Sequence, residues 1–390
     1  MIPLNNPIRP YAWGSRTVLA ALQRRPVPSP GPEAEMWLGA HPTAPSLVPG
    51  PDGPVPLSDA IAENPQATLG DGVMTRFGNR LPYLMKVLAA ESPLSLQAHP
   101  DSAQAWRGFT REETEGAAVR NYVDPFHKPE LLVALSEFDA LCGFRDPDES
   151  ARDVEGLGVA ALAPVAEALR TGDVEQRLRT AVEMLLGWPE PDRPALVAAA
   201  ARSGHPLAAR LAAQYPADLG VVVALLLNHV RLSPGEAVCM PAGNLHAYLS
   251  GAGVEIMAAS DNVLRGGLTP KHVDPLELIR VLRYEVLGEP VHKPVTLGAG
   301  LLGWQWPDVA EFTLVQATVA AGSGVTLPGT GPRIVLCVRG NAEVRTAAQS
   351  VRRLSSGDSV FVAASEPAVE VSGDAVLFQA APNLLGSSAL

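Results

Sequence analysis

Cysteine is scarce in this 390-residue chain, with only Cys142, Cys239 and Cys337, far apart and without CxxC spacing. That excludes a disulfide framework and a thiolate metal site, and it points to reduced thiols in the cytoplasm. Long apolar runs are also missing. The most apolar stretch, 221–227, is far too short to span a bilayer. The N-terminal segment lacks the basic start and apolar run of a signal peptide. No run of Lys or Arg interrupts a net charge of −11, so neither nucleic acid nor a membrane is an expected partner. A small anion stays compatible, because a few cations converging in a cleft set the local field.

Proline (37) and glycine (35) are plentiful, which favours a turn-rich protein over one built of long helices. The length allows two or three domains with their own cores. Residues 1–145 read as short strands and turns, with 84–90 open to either strand or helix. Residues 107–120 read as a charged surface excursion. From 146 to 229 the chain is rich in Ala and Leu, and helices are expected near 159–169, 174–186, 194–201 and 206–214. After 230 the β character returns. The segment 232–246 aligns without a gap on 354–368, both beginning Leu-Ser-x-Gly-acid-x-Val, which is a weak internal repeat. The pattern Gly-acid-(x)4-Pro-x-Gly-x-x-His at 235–246 is similar to the metal-binding strand pair of cupins, double-sheet jelly rolls. In the second copy Ala368 replaces His246. The expected fold is therefore mainly β with a helical insert. A cupin-like jelly-roll catalytic domain (1–145 plus 230–284) is interrupted by an α-helical domain (146–229) and followed by a degenerate cupin-like C-terminal domain (285–390).

Three short motifs carry the chemistry. In Leu94-Ser95-Leu96-Gln97-Ala98-His99-Pro100, strand alternation puts Ser95, Gln97 and His99 on one face. In His127-Lys128-Pro129-Glu130, Lys128 and Glu130 share a face at the start of an apolar strand. In Asn244-Leu245-His246-Ala247-Tyr248, His246 and Tyr248 do. A solvated strand face and a surface turn are the plain readings of the first two motifs alone, whereas His246 sits at the ligand position of the cupin pattern, which favours a ligand over a structural histidine. Together, Gln97, His99, Glu130 and His246 form a nitrogen and oxygen ligand set suited to Zn²⁺, or to Fe²⁺, Mn²⁺ or Co²⁺. A single carboxylate leaves such a site positive, fit for Lewis-acid work. Arg265 and Lys271 flank a Gly-Gly turn and could reach the same cleft.

These motifs, with Tyr11-Ala-Trp13-Gly14, Glu35-Met-Trp37-Leu-Gly39-Ala-His41-Pro42 and Val263-Leu-Arg265-Gly-Gly-Leu-Thr-Pro-Lys271, resemble those of the type I mannose-6-phosphate isomerase family. The match runs from residue 11 to about 275 in the right order. The resemblance implies an isomerase working on mannose 6-phosphate and fructose 6-phosphate through a cis-enediol, with one zinc per chain. It implies Gln97, His99, Glu130 and His246 as zinc ligands and Arg265 as catalytic. Ser95, Lys86, Lys128, Tyr248, Glu255 and Lys271 match further pocket residues. Glu255, Lys128 and a zinc-bound water stay open as the base. Lys86, Ser95 and Lys271 are expected to hold the phosphate. A monomer is expected. Phe126 departs from the family pattern, which has a polar residue there, so altered loop packing is expected without loss of activity. An Fe(II) oxygenase, a non-catalytic relative and an isomerase of another sugar phosphate are the competing readings.

Overall fold

Apolar runs bounded by Gly and Pro pair into two large antiparallel sheets in the structure, a computed structural model that describes every residue except 305, 307, 347–349, 367 and 385–390. The first sheet is organised around one long strand, His246–Ala258. Its first half pairs with Leu96–Ala98 and Phe138–Phe144, and its second half lies between Tyr83–Ala90 and Glu130–Ala134. The change of partners falls at Gly251, where φ is +120° and a Cβ would meet the Glu137 carbonyl oxygen at 2.6 Å, so only glycine fits the bend. Every residue of Tyr83–Ala90 and of Glu130–Ala134 is buried. The charges of Lys86 and Glu130 must therefore find partners inside. The segment 84–90 is strand, which resolves its ambiguity.

Between Phe138–Phe144 and Leu227–Leu232 the chain is helical: Pro147–Gly156, Ala163–Ala168, Val174–Leu186, Arg193–Arg202, Pro206–Gln214 and Gly220–Val223. In Val174–Leu186 the buried residues Leu178, Ala181, Val182 and Leu185 form one stripe. Asp173 caps it by accepting from the Gln176 amide at 2.9 Å.

The second sheet runs from Val295–Gly298 through Leu301–Trp304, Thr313–Leu327, Val369–Ala381 and Arg333–Thr346 to Ser359–Val362. Its edge is completed by the N-terminal strand Ile2–Leu4, paired with Ser359–Val362. The internal repeat maps element on element. Strand Ala237–Met240 corresponds to Ser359–Val362, and the turn glycines Gly235 and Gly357 have φ of +91° and +86°. The two sheets share a core in which Leu131, Val254 and Ile256 meet Trp304, Phe312, Ile334 and Phe378.

The first 145 residues hold more helix than expected: Leu57–Glu63, Pro65–Phe77 and Ser102–Glu115. The expected excursion at 107–120 is mostly the last of these. A capping box between Asp101 and Gln104 starts it and Gly116 in the left-handed conformation ends it. Its buried stripe is only Ala105, Gly108 and Glu112, too thin to register as apolar periodicity. Among the described residues, no helix is long and apolar enough to cross a membrane.

Candidate active site

The register of four strands builds the site. Gln97 on Leu96–Ala98 lies opposite His246 on one side and Arg265 of strand Leu264–Gly267 on the other. Glu130 opens the strand that pairs with the far half of His246–Ala258, and His99 follows Leu96–Ala98 directly. Three motifs distant in sequence thus converge. The ligand atoms of His99, Glu130 and His246 lie within 4.8 Å of one another, and all three residues are buried. Glu130 Oε2 stands 3.2 Å from Nε2 of each histidine.

The outer nitrogens of both rings are engaged. His99 Nδ1 lies 2.7 Å from the Asn262 carbonyl oxygen and His246 Nδ1 lies 2.9 Å from that of Asn244. A ring nitrogen facing a carbonyl carries the proton, so each Nε2 presents a lone pair to the cluster. Burial pushes the His99 imidazole down to about 4, the neutral form a metal requires. Burial opposes ionisation of Glu130, yet it is held well below the usual carboxylate range, with the Lys128 ammonium 3.0 Å away favouring the charged form. His99 Nε2 and Glu130 Oε2 are buried with no hydrogen-bond partner. Two imidazole nitrogens and a carboxylate aimed at one point, with orphaned buried atoms, fit a zinc-like cation. The Gln97 amide nitrogen lies 3.4 Å from His246 Nε2.

Beside the cluster is a cavity of about 520 Å³. Ser95, Gln97, Lys86, Lys128, Glu130, Tyr248, Glu255, Arg265 and Lys271 all line it. His99 and His246 do not, although Gln97 and Glu130, which do, stand next to them. Glu255 lies across the strand pair from Lys86 and accepts from the Tyr248 hydroxyl at 2.9 Å. Burial, and then the charge of Glu130, raises its pKa to about 7.

Lys86 lines the cavity but is engaged by carboxylates. Its Nζ lies 3.4 Å from Glu35 and 3.7 Å from Glu255. Burial disfavours its charge, but these carboxylates outweigh that and hold it protonated. Flanked by two carboxylates, Lys86 is poorly placed to meet a phosphate dianion. Arg265 and Lys271 differ: among the described residues neither forms an ion pair. Both are lowered by burial, and Arg265 lowers Lys271 further. They give one rim of the cavity an uncompensated positive field.

Sequence reasoning missed Glu35, which holds Lys86 and accepts from Trp37 Nε1 at 2.8 Å. It also missed Asp261, which lines the cavity and pairs with His41 at 3.2 Å. The signal for Glu35 was a charge in an otherwise apolar strand. Phe126 is stacked under the Arg80 guanidinium, 3.6 Å from its ring centre, while its carbonyl accepts from Asn262 Nδ2 at 2.8 Å. Glu130, four residues on, lies in the cluster with His99 and His246.

Residues 1–147 match the family model for the phosphomannose isomerase type I catalytic domain. Mannose-6-phosphate isomerase of Escherichia coli (strain K12) is 38% identical over 386 residues, covering 96% of this chain and 97% of that protein. The chain belongs to the type I mannose-6-phosphate isomerase family. A crystal structure of a point variant of phosphomannose isomerase from Salmonella typhimurium superposes with a TM-score of 0.89 at 36% identity, covering 98% of this chain and 99% of that one. A mannose 6-phosphate isomerase bound with zinc and yttrium gives a TM-score of 0.88 at 36% identity, covering 98% of this chain and 99% of that one. As an enzyme of the type I mannose-6-phosphate isomerase family, the chain shares its relatives' architecture over nearly its whole length, including the C-terminal third, where the sequence resemblance was only general.

Proposed function

We propose that the chain is a zinc-dependent aldose–ketose isomerase that interconverts D-mannose 6-phosphate and D-fructose 6-phosphate through a cis-enediol. The supporting observation is a cavity beside a buried cluster of two histidines and a carboxylate, lined by Glu255, whose pKa is raised to about 7, and by Arg265 and Lys271, which form no ion pair among the described residues. The finer architectural reading goes with it: jelly-roll units at 1–145 plus 230–284 and at 285–390, and a helical domain at 146–229. A monomer is part of this reading, and the cytoplasm suits three unpaired buried cysteines.

One zinc, held by Gln97, His99, Glu130 and His246, supplies polarisation of the substrate's carbonyl and hydroxyl oxygens when bound. The remaining roles belong to side chains. Glu255 takes the proton from C2 of the open-chain aldose and returns it to C1, a task suited to a base titrating near the working pH. Tyr248 orients that carboxylate. Lys86 remains a cation beside Glu255, which tunes it and rules Lys86 out as the base. Lys128, 3.0 Å from Glu130, is engaged in the same way. Arg265 stabilises the oxyanion as the O2 hydroxyl proton passes to O1, and Ser95 and Lys271 hold the phosphate at the rim.

The electrostatics give a pH prediction with a sign. As a base, Glu255 works only when ionised, so kcat/KM should rise as pH passes about 7. Lys86 lowers the pKa of Glu255, so Lys86→Met should move that limb to higher pH. The shift is read from kcat/KM profiles of the two proteins, and an unmoved limb with a raised KM would return Lys86 to the phosphate. For Arg265→Ala, a loss of kcat of about 100-fold is expected with zinc content unchanged, measured by steady-state assay beside metal analysis.

A further inference from the structure

The loop that carries Lys128 and Glu130 is held from outside its own sheet. His127 Nε2 lies 2.8 Å from Glu311 Oε1. Glu311 stands just before strand Thr313–Leu327 of the second sheet, 184 residues along the chain. Its segment is anchored on both sides. Asn383 donates from Nδ2 to the Val309 carbonyl at 2.9 Å and from its backbone amide to that of Ala310 at 3.0 Å. The neighbouring Phe312 is buried in the core between the sheets. Glu311 is itself largely buried, with a side-chain exposure of 12%. A carboxylate so placed is rigid, and its one hydrogen-bond partner among the described side chains belongs to the metal loop.

We propose that Glu311 is a positioning residue for the metal centre, with the ligand-free second sheet fixing His127 and, through the short His127-Lys128-Pro129-Glu130 segment, the placement of the Glu130 carboxylate. This rests on the metal reading above. The loop has little other freedom. Asn262 Nδ2 donates to the carbonyls of Asp124 and Phe126 at 2.7 and 2.8 Å, and the Asn262 carbonyl faces His99 Nδ1. His127 adds the tie that reaches across to the other sheet. The sheet that carries Ala368 in place of a ligand histidine thereby still serves the site: it supplies an anchor in place of a ligand. Partners outside the ligand set tune metal affinity by about 10- to 100-fold where they touch a ligand directly. A tie acting three residues away belongs at the lower end.

The test is zinc affinity of the full chain, measured by competition with a chromophoric chelator, for Glu311→Gln, His127→Gln and the double variant. This readout needs no turnover, so it stands apart from failure of the isomerase assignment. A loss of about 10-fold is expected in each single variant. The double variant should lose no more than either single one, because both cut the same tie. Thermal midpoints are recorded alongside, and Glu311→Asp, which keeps the charge, should recover part of the affinity. Single variants that bind zinc like the parent would overturn the proposal. So would additive losses in the double variant, or losses that follow the thermal midpoint alone.

Discussion

Replacing Glu255 with glutamine is expected to lower kcat by roughly 1000-fold while zinc content and KM change little. The substitution keeps the side chain's shape, and the amide oxygen can still accept from the Tyr248 hydroxyl, now 2.9 Å from Oε1. Lys86 keeps Glu35 as a partner at 3.4 Å. What disappears is the ability to bind and release a proton near neutral pH. The loss should therefore fall on the proton-transfer step. Exchange of the C2 hydrogen of mannose 6-phosphate with solvent, followed by NMR, should stop together with turnover. A Glu255→Gln protein that retains activity within tenfold would pass the base role to another group, with Lys128 next in line.

A second large effect is expected at the metal centre. Glu130→Gln should abolish tight zinc binding and reduce turnover by at least about 1000-fold, because one change removes the only carboxylate of the ligand set. Glu130 faces both histidines at 3.2 Å and Lys128 at 3.0 Å. A neutral amide leaves the buried Lys128 ammonium without that counter-charge and gives the cation no anionic ligand. Zinc content by elemental analysis after dialysis, with the activity of the same sample, decides the matter. Full zinc occupancy in an inactive protein would show that Glu130 serves chemistry and not binding.

The cluster of His99, Glu130 and His246 was legible in the sequence because each residue sits in a short motif whose strand alternation can be read locally. Gln97 and His99 share a face, as do Lys128 and Glu130, and the structure brings all of them to one place. The helical run between 146 and 229 was legible for the same reason: stripes such as Leu178, Ala181, Val182 and Leu185 repeat within a few residues. What escaped depends on distant partners. Lys86 looked like a free cation because Glu35, which pairs with it, is 51 residues away. The pairing of Ile2–Leu4 with Ser359–Val362 joins the two ends of the chain, and no local pattern encodes it. Helix Ser102–Glu115 was missed for a different reason. Its capping box, Asp101 with Gln104, was present in the sequence, but polar and charged residues make up most of the helix and hide its narrow buried face.

The central claim is that this cavity isomerises a sugar phosphate with a metal held by Gln97, His99, Glu130 and His246. The most direct measurement is conversion of mannose 6-phosphate to fructose 6-phosphate in a coupled assay, before chelation, after chelation and after stoichiometric zinc is returned. The account predicts turnover that vanishes with the metal and returns at about one zinc per chain. Turnover that persists in metal-free protein, or none in fully zinc-loaded protein, would contradict it.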